Sequence, residues 1–179
     1  MVVSLCIICF ASCNNTLKIT TNDTYEVTFL PDGSVVYLNH NSAIKYDKEF
    51  DSRVIELNGE AFFNVKADGS TFLVTTEFGD IKVIGTEFNV KTVADRIEVD
   101  VKSGLVELKT KYNGSKVEKG MKAIYKEGDK TVQQIKSNKE FRKWTQSLKS
   151  EFKKLGKDLT PMLKKVGKEL KKAGQEIAK

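Results

Sequence analysis

Turn signals recur every eight to ten residues from Leu17 to Ile135, and this spacing leaves room only for short strands. The residues between the signals are mostly β-branched or aromatic, and no run there has a helical period over ten residues or more. In residues 25–29 and 96–101, apolar and polar side chains alternate, as they do on a half-buried strand. We therefore predict an all-β domain of about a dozen short strands, folded as a sandwich, a barrel or a solenoid-like stack.

A short motif occurs twice within this region. Gly59–Val65 (GEAFFNV) returns in shortened form at Gly85–Val90 (GTEFNV), about 26 residues downstream. Repeated turn-and-strand units suit stacked β structure, because each unit buries its apolar face against its neighbour. We expect the glycine to open a turn, an aromatic residue and the valine to point inward, and Glu and Asn to remain in water. Glu60 has no partner for acid–base catalysis in an identifiable motif, so we predict a solvated turn residue.

The residue types that most often carry catalysis or bind metals are scarce. The chain has one histidine, His40, and its three cysteines lie in the first 13 residues, so a His-based triad or a cysteine metal site is excluded from the β region. Asp47, Glu49 and Asp51 alternate like the first ligands of a calcium loop. Ser52 stands where that loop needs glycine, so an EF-hand is rejected. We predict no enzyme, no catalytic or metal site and no cofactor.

The first 13 residues are typical of the leader of an exported protein. Val2–Ala11 is an apolar run of about ten residues, which suits a signal peptide and is too short to cross about 30 Å of hydrocarbon. Ala11, Ser12 and Cys13 resemble a lipoprotein lipobox, which would make Cys13 the lipid-attachment residue. The alternatives are a truncated membrane anchor and an ordinary cleaved or buried segment. We predict a leader over residues 1–13 and a lipid-anchored protein in the periplasm or cell envelope of a bacterium.

Four segments of the β region resemble the extracytoplasmic domain of FecR-type proteins. They are LPDGSVVYLNHNSAIKYDKEF (Leu30–Phe50), VIELNGEAFFNV (Val54–Val65), FLVTTEFGDIKVIGTEFNV (Phe72–Val90) and VDVKSGLVELKT (Val99–Thr110), and they occur in the family's order. FecR-type proteins are anti-sigma regulators that relay signals from outer-membrane transporters, usually of iron siderophores, to a sigma factor. The resemblance implies a periplasmic binding domain that receives a partner's signalling domain, without enzymatic activity. We place this domain at residues 17–135.

The resemblance does not extend to the beginning of the chain. Usual family members begin with a cytoplasmic helical segment that grips the sigma factor, followed by a transmembrane helix, whereas this sequence begins at the apolar leader. We therefore expect an envelope-located signalling or regulatory accessory without the sigma-binding part. The alternative is a membrane-active or scaffolding lipoprotein whose amphipathic tail binds anionic lipid and whose β domain is only a spacer. The partner's identity and the oligomeric state stay open.

Residues 137–179 carry the basic charge of the chain and a helical pattern. From Lys139 onward, 13 Lys or Arg stand against 5 Asp or Glu, which leaves 17 against 19 for the rest. Ser137 and Glu140 form a capping-box pattern, and Pro161 should kink the helix. Apolar residues follow at a mean interval of 3.6, which predicts one long amphipathic helix. These contact residues are Phe141, Trp144, Leu148, Phe152, Leu155, Leu159, Met162, Val166, Leu170 and Ile177, with Ala173 in the same stripe.

Three surfaces can cover this apolar stripe: the chain's own β domain or that of another copy, a lipid bilayer, or a groove in a partner protein. On a bilayer, the lysines of the opposite face would meet the anionic headgroups. Nucleic acid is disfavoured, because the basic face lacks interleaved aromatic residues. The lysines that would face an anionic surface are Lys153, Lys154, Lys157, Lys164, Lys165, Lys168, Lys171 and Lys172.

Overall fold

The computed structural model describes residues 15–148 and residue 150, and its regular structure is almost entirely β. Fourteen strands lie between Thr16 and Lys136, which confirms the predicted all-β region of short strands. The strands are β1 (Thr16–Thr20), β2 (Glu26–Phe29), β3 (Val35–Leu38), β4 (Ala43–Asp47), β5 (Val54–Asn58), β6 (Glu60–Asn64), β7 (Phe72–Thr76), β8 (Gly79–Val83), β9 (Glu87–Val93), β10 (Arg96–Ser103), β11 (Leu105–Lys109), β12 (Gly114–Glu118), β13 (Met121–Lys126) and β14 (Gln133–Lys136).

The strands form two seven-stranded sheets that pack face to face as a sandwich. The first sheet has the order β1-β4-β5-β7-β8-β11-β12, and the second has the order β14-β13-β10-β9-β6-β3-β2. The chain passes between the sheets hairpin by hairpin, and β6 crosses as a single strand. Because the chain crosses to the second sheet through β6 and then returns, β5 and β7 run parallel as neighbours in the first sheet.

The core lies between the sheets and is built from alternate residues of each strand. In β10 the inward set consists of Ile97, Val99 and Val101, which are fully buried. The two copies of the repeated motif become β6 and β9, which are antiparallel neighbours. Phe63 stacks on Phe88 with ring centroids 5.1 Å apart. Each such ring contributes roughly 1.5–3 kcal/mol by leaving water, so the repeat is a core element.

A buried arginine holds together the loops at one end of the sandwich. Arg53 is 5% exposed, and its guanidinium donates to the carboxylates of Asp32 and Asp68 and to the carbonyl oxygen of Lys66. These acceptors belong to the loops after β2 and after β6. Since a buried charge is stable only when it is paired, these bonds fix the loop between β6 and β7, which carries Ala67.

One short helix, α1, covers part of the outer face of the second sheet. It comprises residues 141–148, and residue 150 is also helical. Phe141 and Leu148 are each 3% exposed. The rest of the predicted long helix, its kink at Pro161 and the predicted leader 1–13 lie outside the described residues. Among the residues that are described, no helix is long and apolar enough to cross a membrane.

Candidate functional site

The side chain of Glu60 connects α1 to the second sheet. It is 13% exposed and accepts hydrogen bonds from Asn39 Nδ2 at 2.9 Å, Asn89 Nδ2 at 2.9 Å and Trp144 Nε1 at 3.1 Å. Lys91 Nζ lies 3.7 Å away. The prediction of a solvated turn residue is wrong, because α1 covers the outer side of β6 and excludes water. A carboxylate with this many donors holds the helix in place and is poorly placed to act as a base.

Gly59 fixes the point at which β6 begins. Its φ of 92° lies in the left-handed region, and a Cβ there would come within 2.8 Å of the Ser42 Cα. The backbone N–H of Glu60 donates to Ser42 Oγ at 2.9 Å, and the N–H of Gly59 donates to Thr92 Oγ1 at 2.8 Å. The expected glycine turn is therefore present, and it aims Glu60 at the outer face.

Phe62 supplies the apolar part of the helix contact. Phe63 points into the core, whereas Phe62 points to the outer face and is nevertheless only 1% exposed. Phe141 stacks on Phe62 with ring centroids 5.3 Å apart and planes 16° apart, and Lys102 Nζ lies 5.8 Å from the Phe62 ring. Removing both rings from water favours docking, and it offsets the entropy lost by ordering the helix.

Trp144 packs beside β2. Its ring lies parallel to that of Tyr25 with centroids 6.0 Å apart, and the centroid of the His40 ring lies 4.0 Å from that of Tyr25. The alternation expected in residues 25–29 therefore has its apolar side on the outer face, where Tyr25 meets the helix. His40 itself is exposed in the turn between β3 and β4.

The segment that leads into α1 is tied to β10. Ser137 Oγ donates to Asp100 Oδ1 at 2.6 Å, and the N–H of Ser137 donates to the carbonyl oxygen of Gly120 at 2.8 Å. The N–H of Glu140 instead approaches Asn138 Oδ1 at 3.5 Å. The predicted capping box of Ser137 and Glu140 is therefore wrong, because Ser137 is still bonded to the sheet.

A polar cavity of about 230 Å³ lies between α1 and the sheet. Lys122 Nζ lies 3.3 Å from Glu98 and 3.9 Å from Glu140. Burial acts to raise the pKa of Glu98, but hydrogen bonds and charge from Arg96 and Lys122 outweigh it and hold this pKa below the ordinary 4.5. Burial raises the pKa of Asp100 above the ordinary 3.8. In the part of the chain described, no group of three or more His, Cys, Asp or Glu side chains could hold a metal ion.

Comparison with known proteins identifies the fold. The family model described as FecR protein matches residues 15–107, just over half of the 179 residues. The chain belongs to the FecR family. This confirms the resemblance seen in the sequence, and the family is one of regulatory signalling proteins. No curated protein matches the chain.

Two crystal structures of a "putative anti-sigma factor" from Parabacteroides distasonis ATCC 8503 are similar to this FecR chain, both at 31% identity. The structure at 2.50 Å resolution has a TM-score of 0.64 and covers 68% of this chain and 60% of its own. The structure at 1.65 Å has a TM-score of 0.66 and covers 74% and 64%. The chain therefore spans less than two thirds of the length of these relatives.

The FecR chain uses the first of the predicted contact residues within its own fold. Phe141 stacks on Phe62 and Trp144 donates to Glu60, so of the three surfaces considered, the chain's own β domain covers this part of the stripe. Leu148 is also buried. The contact positions from Phe152 to Ile177, the lysines from Lys153 to Lys172 and the predicted lipid-attachment residue Cys13 lie outside the described residues.

The residues beneath α1 are the ones that sequence reasoning missed. Asn89 is 5% exposed and Asp100 is 3% exposed, although both stand at outward positions, where the alternation predicts water. The apolar stripe that starts at Phe141 did signal that some surface is covered. It could not identify these partners, because strand order decides which outward residues lie side by side.

Proposed function

We propose that this chain is a regulatory FecR-type module that works in the bacterial cell envelope and binds a protein partner. The FecR match over residues 15–107 carries the proposal, since this segment contains most of the sandwich. The likeness to two chains with anti-sigma descriptions supports a role in signalling. The first partner to test is the signalling domain of an outer-membrane transporter. No catalytic step forms part of the proposal.

An exposed apolar patch is the surface that we assign to the partner. Ile84 is 56% exposed and Leu105 is 47% exposed, and both line one groove of about 520 Å³. Exposed apolar side chains that converge on one groove are typical of recognition surfaces. Lys82 and Lys116 line the same groove together with Glu107, which lies opposite both lysines in the strand pairing. The two lysines outnumber this carboxylate, so the groove suits a partner that presents an apolar side chain beside a carboxylate.

Binding of the full chain to transporter signalling domains from the same bacterium, measured by biolayer interferometry, tests this assignment. We expect a double variant, Ile84→Glu with Leu105→Glu, to lose at least about tenfold in affinity, because two charges would face the partner's apolar side. Phe29→Glu is the matched control, since Phe29 is 74% exposed elsewhere on the surface. An equal loss of affinity in the double variant and the control would show that the patch is not the binding surface. If the wild-type chain does not bind these domains at all, transporter signalling domains are not the partner.

Attachment to the membrane through Cys13 is the second element of the proposal. The apolar run before the Ala11-Ser12-Cys13 sequence supports lipidation there. Mass spectrometry of the mature protein from membranes should show a chain that begins at an acylated Cys13. A Cys13→Ser variant should leave the membrane fraction, and its retention there would argue against this anchor.

The competing function is lipid binding by the segment beyond α1. Its lysines and apolar positions from Phe152 to Ile177 favour an anionic membrane surface, to which Lys residues contribute about 1 kcal/mol each. Full-length Phe152→Glu and Leu155→Glu variants separate the two functions. If vesicle binding is lost while the partner still binds, the β domain is the functional module. If both are lost, the β domain is only a spacer.

A further inference from the structure

Two buried oxygen atoms beneath α1 lack a hydrogen-bond donor among the residues that the structure describes. Asn89 and Asp100 are directly opposite in the β9–β10 pairing, and both line the covered cavity. Asn89 Oδ1 and Asp100 Oδ2 are buried and have no hydrogen-bond partner within residues 15–148 and 150. Side chains that are directly opposite on one face of a sheet have Cβ atoms about 4.5–5.5 Å apart, so these two are within reach of each other. Both atoms are acceptors, so a direct hydrogen bond between them requires a proton on the carboxyl group.

The surrounding donors are already engaged. Asn89 Nδ2 donates to Glu60 at 2.9 Å, so turning the amide would place its oxygen against the Glu60 carboxylate. The other Asp100 oxygen accepts from Ser137. Lys122, the residue opposite Asp100 on β13, lies against Glu98 and Glu140. A single proton between Asn89 and Asp100 satisfies both oxygens without breaking any of these contacts.

We propose that Asp100 binds a proton at Oδ2 and donates it to Asn89 Oδ1, and that this proton latches residues 137–150 onto the second sheet. Ser137, just before the helix, bonds to the same carboxyl group, so a change at Asp100 reaches the helix directly. The charged groups around Asp100 are Glu98 and Lys102 of β10, Glu87 and Lys91 of β9, Lys122 of β13, Glu60 of β6, and Glu140 and Arg142 at the helix start.

The latch tightens in acid. Burial raises the pKa of Asp100 and Glu140 adds to the rise, against the opposing effects of Ser137, Lys122 and Arg142. A carboxyl group whose folded pKa is raised contributes stability at low pH and loses it as the pH rises through that pKa. Above it, the buried charge faces the Asn89 oxygen, and lifting the segment from Ser137 to Leu148 would expose that charge to bulk water. Helix docking should therefore weaken as the pH rises through the raised pKa of Asp100.

Trp144 reports this change without a label. It is the only tryptophan of the chain and lies on α1, bonded to Glu60. In the full chain, titrated from about pH 4 to about pH 8, we expect its emission to shift to longer wavelength in a one-proton transition as the pH rises. Asp100→Asn carries an N–H at the proton's position, so its emission should stay at the docked value throughout. Its urea midpoint at neutral pH should exceed that of the wild type.

Two control variants each remove one other ionisable side chain from the surroundings of Asp100 and Trp144. Glu98→Gln neutralises the neighbouring carboxylate, and His40→Gln removes the imidazole that contacts Tyr25. Both should keep the transition. If the transition persists in Asp100→Asn or disappears in His40→Gln, the latch is refuted. If Asp100→Asn does not fold, carbon-13 NMR of the wild type decides: the Asp100 carboxyl carbon must titrate together with the Trp144 emission, and separate midpoints would refute the proposal.

Discussion

Glu56 and Glu60 are four residues apart in the chain, but they lie on the outer faces of different sheets. Glu56 faces solvent, and its side chain stays 63% exposed although it pairs with Lys45 at 3.2 Å. Glu60 is 13% exposed beneath α1 and accepts from three side-chain donors. An exposed ion pair contributes about 0–1 kcal/mol because water and salt compete with it. At Glu60 the same type of side chain holds α1 on the sheet, because the helix shields its hydrogen bonds from water.

The two phenylalanines of the second sheet's outer face show the same difference. Phe62 is 1% exposed beneath Phe141, whereas Phe29 is 74% exposed at the edge of the sheet. Both rings point outward from the same sheet, but Phe62 lies in β6, between two strands, and Phe29 lies in the edge strand β2. The helix covers one ring and leaves the other uncovered. Coverage by α1 is therefore the property to test.

Phe141→Ala should have the largest effect. It removes the ring that stacks on Phe62 and should cost about 3 kcal/mol, limited by the whole free energy of helix docking, since a detached helix loses nothing further. Trp144 emission should move to longer wavelength, and urea unfolding followed by circular dichroism should show whether the sandwich survives. The matched control, Phe29→Ala, should change stability by no more than about 0.5 kcal/mol. Similar losses in both variants would mean that coverage does not distinguish the two rings.

Glu60→Ala should have the next largest effect. It leaves the side-chain N–H groups of Asn39, Asn89 and Trp144 without their acceptor, at a cost of roughly 2–3 kcal/mol. Glu56→Ala is its counterpart on the open face and should cost under about 0.5 kcal/mol. Both values come from urea denaturation at neutral pH. A Glu56→Ala loss as large as that of Glu60→Ala would contradict the contrast between the faces.

Glu98→Gln should have a small, pH-dependent effect. The pKa of Glu98 is lowered in the folded protein, so its contribution is present above the ordinary 4.5 and is lost as the pH falls through the lowered pKa. The variant should therefore lose less stability than the wild type on acidification, by no more than about 1 kcal/mol after solvent screening. Thermal unfolding across the acid range measures this. Glu56→Gln, on the open face, should follow the wild-type curve.

The local sequence pattern was enough to predict the strands, but it failed for the residues at the contact between the helix segment and the second sheet. Ile97, Val99 and Val101 were placed inward by alternation alone, and the structure buries them. The same rule put Glu60 and Asn89 in water, because it treats every outward position as solvated. The capping-box prediction failed for a related reason: Ser137 has a neighbour in β10 that no local motif reveals.

Turns and period-two alternation act over a few residues, so they were sufficient to predict the class of fold and the inward set of β10, and four sequence segments were sufficient to indicate the family. Which outward residues are covered depends on how distant segments come together in the folded chain. The Trp144–Glu60 hydrogen bond joins positions 84 residues apart, and the Asn89–Asp100 pairing depends on β9 and β10 being neighbours. Water is excluded from the outer face of a sheet only where a distant segment packs against it. This packing is a property of the folded chain and cannot be read from a local pattern.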